Sequence, residues 1–158
     1  MSCTPSANLI QNRGGQDGRG AELEAVWDAS RSLRLSGNLA LQRSVDDATG
    51  RDAGYAPHRR GYLQADWAVA RGCTVSGQLN HVAGRQRPAG DARPPIKDYT
   101  TLDLSARTRI GSAGWELSLG LRNLFDADAR EPSLAGGGIV NDLPVFPRTA
   151  YVQAAFRH

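Results

Sequence analysis

The feature that most constrains this chain is an alternation of apolar and polar residues with a period of two. In one segment Leu63, Ala65 and Trp67 alternate with Gln64 and Asp66. Successive side chains of a β-strand point to opposite faces, whereas a helix repeats its apolar positions every three or four residues. The alternation therefore predicts half-buried strands. It extends over seven segments, at residues 21–28, 32–42, 60–69, 73–80, 101–110, 115–122 and 149–157.

The predicted strands are about ten residues long, whereas strands of soluble sheets usually have five or six. Tilted strands of about ten alternating residues are what a transmembrane barrel needs. We therefore expect the apolar faces to contact lipid and the polar faces to line a lumen, although a solvated face of a soluble sheet has the same pattern. The charged residues expected on the lumen side are Glu22, Glu24, Asp28, Arg34, Asp66, Asp103, Arg107, Arg109, Glu116 and Arg122.

The connections between these segments alternate between short and long. Short connections are expected at residues 28–32, 70–72 and 111–114, and long ones, rich in Gly, Pro and Asp, at 46–59, 83–97 and 127–147. This alternation of short and long connections places all tight turns at one end of the sheet and all long loops at the other, which is typical of outer-membrane barrels. Residues 9–13 are interpreted as the end of an eighth strand, followed by a turn at residues 14–20.

Composition excludes several other classes of protein. The 158 residues correspond to one domain, and no apolar run is long enough for a membrane-spanning helix. Eighteen of the 19 cationic residues are Arg, and their dispersal argues against nucleic-acid binding. Cys3 and Cys73 are too few for a disulfide framework. The three His residues lack partners at ligand spacing and no nucleophile motif is present, so we expect no metal, no cofactor and no enzymatic activity.

Two groups of cationic residues lie in or beside the long connections. Because Arg binds carboxylates in a bidentate geometry, these residues are candidates for contacts with an anionic ligand. Solvated loop charge is the simpler explanation, and we prefer it. The candidates are His58, Arg59 and Arg60 in one group and Arg85, Arg87 and Arg93 in the other.

The three tryptophans lie beside the short turns and in the apolar positions of their segments. Trp27, Trp67 and Trp115 are therefore interpreted as an interfacial aromatic girdle at one side of a membrane. The alternative is that they are ordinary core aromatics of a soluble sheet.

Three stretches resemble motifs of TonB-dependent outer-membrane receptors. The first, with Gly20, Glu22 and Glu24, resembles a strand opening of their barrels. The second, Asn123, Leu124, Phe125 and Asp126, resembles their Asn-Leu-Phe-Asp signature. The third runs from Arg148 to Phe156 and resembles their final strand. The motifs occur in the order and with the spacing expected near the end of such a barrel.

The resemblance implies an all-β, antiparallel, up-and-down meander of seven or eight long strands, a partial transmembrane β-barrel that lacks the plug. Residues 9–158 would be the C-terminal portion of a receptor barrel, and residues 1–8 a poorly ordered segment. The parent receptor would take up a ferric siderophore or a similar ligand across the cell outer membrane by energy-coupled transport. Its partners would be outer-membrane lipid, the remaining barrel and plug, and the TonB system through the absent N-terminal part.

Residues 1–8 have no signal-peptide pattern. We expect the isolated chain not to transport. Two alternatives are a soluble or peripheral antiparallel β-sheet binding module and a passive porin-like barrel formed by self-association.

Overall fold

The computed structural model describes residues 14–111, 114–134 and 139–156, and they form one open, seven-stranded antiparallel sheet beside a small two-stranded one. The large sheet has the order β1-β2-β3-β4-β5-β6-β9, so each long strand pairs with the next long strand along the chain. This confirms the predicted meander. The strands are β1 (Gln16–Asp28), β2 (Leu33–Asp46), β3 (Arg59–Ala70), β4 (Cys73–Ala83), β5 (Tyr99–Ile110), β6 (Trp115–Arg122), β7 (Arg130–Glu131), β8 (Leu143–Pro144) and β9 (Thr149–Phe156).

The register of the strands collects the apolar positions on one face. One row of paired residues reads Trp27, Leu35, Ala65, Gly77 and Leu104 across five strands. Residues paired across an antiparallel ladder lie on the same face, and alternate rows lie on the other. All apolar rows of the seven strands thus share one face, which we call the outward face. The charged residues expected on the lumen side all occupy the opposite, inward face.

The sheet is a single layer with almost no core. The buried apolar residues of the described part are Val82, Ala83, Ile96 and Ala129, all near the long connections. On the outward face, in contrast, the side chain of Val152 is 71% exposed. A soluble sheet buries its apolar face against a second layer. The outward face has no such layer within the described residues.

The ends of the elements match the predicted connections with one exception. The turn expected at residues 14–20 is wrong from residue 16 onward, because β1 already begins at Gln16, which pairs with Asp46. Gly20 accordingly lies inside β1 and not at a strand opening. The outward positions of this end carry Asp17 and Arg19, so they lack the apolar signal that marks the other strands. The expected strand end at residues 9–13 and segment 1–8 lie outside the described residues.

The tight turns join strands at one end of the sheet. Gly72 and Gly111 adopt positive φ angles of 73° and 62°, which glycine reaches without steric cost. At the other end the connection between β6 and β9 contains the small β7-β8 hairpin. Among the described residues there is no helix of the length and apolarity needed to cross a membrane.

Candidate functional site

The inward face holds a cavity of about 760 Å³ near the long loops. Its wall takes residues from β1 to β6, and Phe146 joins from the segment that leads into β9. Arg60 and Tyr62 of β3 line this cavity, whereas Arg59 occupies a row of the outward face, opposite Leu41. The two adjacent arginines, which the sequence grouped as ligand candidates, therefore lie on opposite faces of the sheet.

Hydrogen bonds between side chains stiffen the inward face below the cavity. The hydroxyl of Tyr62 donates to Gln64, and the Gln64 amide donates to the Asp66 carboxylate over 2.7 Å. Ser76 donates to the same carboxylate over 2.6 Å. These polar groups satisfy one another along the wall.

A cation stacks between two aromatic rings at the edge of this wall. The guanidinium carbon of Arg122 lies 5.8 Å from the ring centre of Phe146 and 5.6 Å from that of Tyr151. Both distances are within the range of cation–π attraction. The stacking holds the segment that enters β9 against the inward face.

A cluster of ion pairs, which we call the loop clamp, joins the β4–β5 and β6–β9 connections. It consists of Arg87, Asp91 and Arg93 from the first connection and Ser133 and Asp142 from the second. Arg87 forms a bidentate pair with Asp142, with N–O distances of 2.6 and 3.2 Å. Arg93 lies 2.7 Å from Asp91 and donates to the Ser133 hydroxyl over 2.7 Å. The side chains are mostly buried, with exposures of 3% for Asp91 and 7% for Arg87.

The charges of the loop clamp keep its carboxylates ionised. A hydrogen bond from Arg93 is the main reason that the pKa of Asp91 is lowered to about 2. The pKa of Asp142 is also lowered, chiefly by its hydrogen bond from Arg87. The pKa of Arg93 is raised, mainly by its hydrogen bond to Asp91. At neutral pH all these groups are therefore charged and paired.

The remaining candidates from the sequence also have partners within the loops. Arg85, whose side chain is 3% exposed, donates to the Arg130 carbonyl over 2.8 Å and lies 3.1 Å from Glu131. The His58 ring lies 2.5 Å from Asp52. The guanidinium groups of Arg85, Arg87 and Arg93 thus pair with groups inside the loops, and their side chains are mostly buried. Sequence reasoning missed the pairing between the two connections, because the partners in the second connection lie 40 or more residues away along the chain, where no spacing signals them. Asp91, in contrast, is close in sequence to Arg87 and Arg93.

Replacing Asp142 by Asn tests the loop clamp. Asn tolerates the positive φ of 60° at this position, so D142N removes the charge and leaves the backbone preference intact. The mostly buried Arg87 then loses its nearest carboxylate, and we expect local stability of both connections to fall by about 1–3 kcal/mol. Hydrogen exchange of residues 87–93 and 139–143, measured on the chain in bicelles, would report this opening.

The matched control for this substitution is Asp128→Asn in the same connection. Asp128 pairs with Arg130 at 2.7 Å, but the side chains are 63% and 38% exposed. Exposed pairs contribute at most about 1 kcal/mol. Equal exchange in D142N and D128N would contradict the structural role of the clamp.

The Asn-Leu-Phe-Asp stretch forms a hydrogen-bonded turn at the end of β6. Asn123 is 2% exposed and has a φ of 49°. Its amide nitrogen donates to the carbonyls of Ala127 and Phe146 over 2.9 and 3.0 Å, and its backbone N–H donates to Asp103 over 2.8 Å. The buried amide therefore connects β5, the turn and the segment that precedes β9.

Two further motif residues contact each other across the same connection. The Arg148 N–H donates to Asp126 over 3.2 Å, and their side chains are 3.6 Å apart. Phe125 is 66% exposed, and Leu124 donates its N–H to the Leu102 carbonyl over 2.8 Å. The sequence placed these residues in two separate motifs, whereas the structure brings Asn123, Asp126 and Arg148 to one turn. The first motif is separate: Glu22 lines the cavity, and Glu24 pairs with Asn38 on the inward face.

The three tryptophans follow a slanted line across the outward face. The row of paired residues that contains Trp27 reaches Leu121 on β6. Trp115 also lies on β6, six residues closer to the tight turns than Leu121. Over the five strand steps from β1 to β6, this offset corresponds to an angle of about 40°. Barrel strands tilt by typically 35–45° from the barrel axis. In a barrel with this tilt, Trp27, Trp67 and Trp115, which we call the tryptophan belt, would lie at one level along the barrel axis.

Phe156 of β9 joins this belt. Its ring centre lies 5.1 Å from that of Trp115, and both residues belong to the last outward row before the tight turn. The arrangement is what an interfacial girdle requires. No cluster of His, Cys, Asp and Glu suited to a metal ion occurs in the described ranges 14–111, 114–134 and 139–156.

In a comparison with protein families, residues 2–124 match the family described as TonB dependent receptor-like, beta-barrel. The chain belongs to this family. The match ends at Leu124, inside the Asn-Leu-Phe-Asp stretch, so the stretch Arg148–Phe156 lies beyond it. A comparison with curated proteins gave no significant match.

Among solved structures, the chain is similar to the ferric enterobactin receptor PfeA of Pseudomonas aeruginosa, in a mutant form. The TM-score is 0.67 at 18% sequence identity, and the alignment covers 85% of this chain. At this identity the likeness shows the fold alone. The chain spans 21% of the length of that receptor.

Proposed function

We propose that residues 9–158 are the C-terminal portion of an outer-membrane receptor barrel. The parent receptor takes up a ferric siderophore or a similar scarce ligand by energy-coupled transport. The observation that carries this proposal is the sorting of the sheet into two faces. One face is apolar over most of its area, with charged residues at its loop end, and has no covering layer within the described residues. The other is polar and lines an open cavity. Lipid on one side and a lumen on the other explain both.

The family match supports the transport part of the proposal, and the likeness to a ferric enterobactin receptor supports its ligand class. The partners proposed are outer-membrane lipid, the rest of the barrel with its plug and, through a plug-bearing part, the TonB system. No enzymatic activity, cofactor or nucleic-acid partner is proposed.

The chain alone is not proposed to transport. Receptors of this kind close with 22 strands around a plugged lumen, and the described residues of this chain contribute seven long strands. Within the described residues β1 and β9 have no further strand partner, and open edges are not tolerated in hydrocarbon. The remaining strands must therefore come from elsewhere.

The test is to compare this chain with the complete reading frame that encodes it. Both would be expressed in cells that lack their own ferric-siderophore receptors, and uptake of radiolabelled iron in siderophore complexes would be measured with and without an energised inner membrane. We expect energy-dependent uptake from the complete reading frame and none from the 158-residue chain. Uptake by the short chain, or a complete reading frame with no plug-encoding region, would contradict the proposal.

A further inference from the structure

Three arginines lie together on the outward face at the end opposite the tryptophans. Arg19 and Arg43 are directly paired between β1 and β2, and Arg59 of β3 pairs with Leu41, the outward neighbour of Arg43 along β2. All three residues are exposed. We call Arg19, Arg43 and Arg59 the arginine belt.

The described residues leave most of this belt without an ionic partner. Arg19 lies 3.5 Å from Asp17, but their side chains are 88% and 64% exposed. None of the ion pairs formed between described residues includes Arg43 or Arg59. Like charges placed directly opposite each other in a ladder are unfavourable. The pairing of Arg19 with Arg43 therefore favours an anion from outside the chain.

The position of the belt relative to the tryptophans decides which anion fits. Arg19 and Trp27 are eight residues apart on β1, and Arg59 and Trp67 are eight residues apart on β3. At about 3.4 Å per residue and a tilt of about 40°, this spacing corresponds to a height of about 20 Å. The apolar band of a barrel is about 25 Å tall and ends at headgroup level on both sides. The backbone of the arginine belt thus lies about 5 Å inside the far edge of that band. Arginine side chains extend along apolar surface and place their charged groups in the polar region, so the guanidinium groups reach the level of the lipid phosphates.

We propose that the arginine belt binds the phosphate groups of anionic lipid headgroups in the leaflet nearest the long loops. The inference rests on the proposed placement of the outward face in a membrane. Basic residues at headgroup level attract anionic lipids, with about a fivefold gain in association for each one. Guanidinium groups also bind phosphate oxygens in a bidentate geometry.

The test uses the 158-residue chain in phosphatidylcholine bicelles that contain a small fraction of spin-labelled phosphatidylglycerol. Spin-labelled phosphatidylcholine with the same acyl chains serves as the zwitterionic reference. We expect the chain to immobilise the anionic lipid preferentially, and the preference to weaken as salt is raised. The variant R43Q/R59Q should lose about fivefold of this preference for each arginine replaced.

Two variants separate a headgroup site from a general effect. Arg60→Gln is next in sequence to Arg59 but changes the inward face, so it should keep the lipid preference. R43K/R59K keeps the charge and should retain most of the preference. Together with the circular dichroism of each variant, it distinguishes a loss of charge from a loss of the folded sheet. An equal loss in R60Q, or no loss in R43Q/R59Q, would overturn the proposal.

The remaining outcomes are also decisive. Abolition of the preference by inorganic phosphate at constant ionic strength would indicate a site for free phosphate and overturn the lipid assignment. A well-formed sheet in bicelles with no lipid preference would overturn this inference alone. Where the open edges of β1 and β9 keep the isolated chain from forming a sheet in bicelles, the same variants are measured in the receptor from the complete reading frame. Failure of that receptor to form a sheet in the membrane would contradict the membrane placement and the inference with it.

Discussion

Diluted from concentrated urea into buffer without detergent, this chain is expected to aggregate, whereas dilution into detergent micelles should give a soluble β-sheet. The reason is the single-layer sheet: Leu23, Trp27 and Val152 are each more than 60% exposed on the outward face. Burial of apolar surface contributes about 25 cal/mol per Å², while ordering costs about 1–2 kcal/mol per residue. In water the outward face gains nothing to offset that cost, and the edges β1 and β9 promote pairing between chains.

Sedimentation and circular dichroism of the two samples measure this difference. The detergent sample is the control, because it has the same chain, concentration and urea history. A monodisperse monomer with a cooperative thermal transition in plain buffer would contradict the account. It would favour the soluble β-sheet binding module as the function of the chain.

The second large effect is expected from a charge placed at the centre of the outward face. Leu39 lies on β2 four residues from Arg43, in the row that pairs it with Leu23 and Gly61. This places Leu39 near the middle of the apolar band. Arg at the midplane of a barrel's lipid face costs about 2–4 kcal/mol, so L39R should lower the free energy of unfolding in bicelles by that amount.

The adjacent Asn38 provides the matched control. It lines the inward cavity and pairs with Glu24 and Tyr62, so an arginine there stays hydrated beside a carboxylate. We expect N38R to change stability by less than about 1 kcal/mol. Urea titrations followed by tryptophan fluorescence would compare both variants with the parent chain. Equal costs, or a larger cost for N38R, would mean that the two faces have been assigned the wrong way round.

The alternation of side chains predicted the sheet, because a period of two indicates strands and assigns each side chain to one of the two faces of the sheet. Leu63, Trp67 and Leu104 occupy outward rows, as the alternation requires, and the short connections ended the strands at the expected residues. The start of β1 was missed because Asp17 and Arg19 replace apolar residues at its outward positions. Asp17 and Arg19 lie at the level of the arginine belt, where outward side chains do not need to be apolar.

The loops show what the sequence could not indicate. Arg87 and Asp142 are 55 residues apart, and only the folded connections bring them to 2.6 Å. Local patterning carries no information about such pairs, so Arg85, Arg87 and Arg93 looked like free loop charge. The same holds for Asn123, Asp126 and Arg148, which form one turn although they come from two stretches of sequence.

The most direct measurement of the central claim is a spin-label scan along β3 of the chain in bicelles. Cys3 and Cys73 would be replaced by Ser, and single cysteines introduced at each of residues 61–67 would carry the label. The account predicts an oscillation of period two. Oxygen should relax the spin labels at the odd, outward positions most strongly. A water-soluble nickel chelate should relax the labels at the even, inward positions most strongly. Equal accessibility at both sets of positions, or the opposite phase, would contradict the placement of the outward face in lipid.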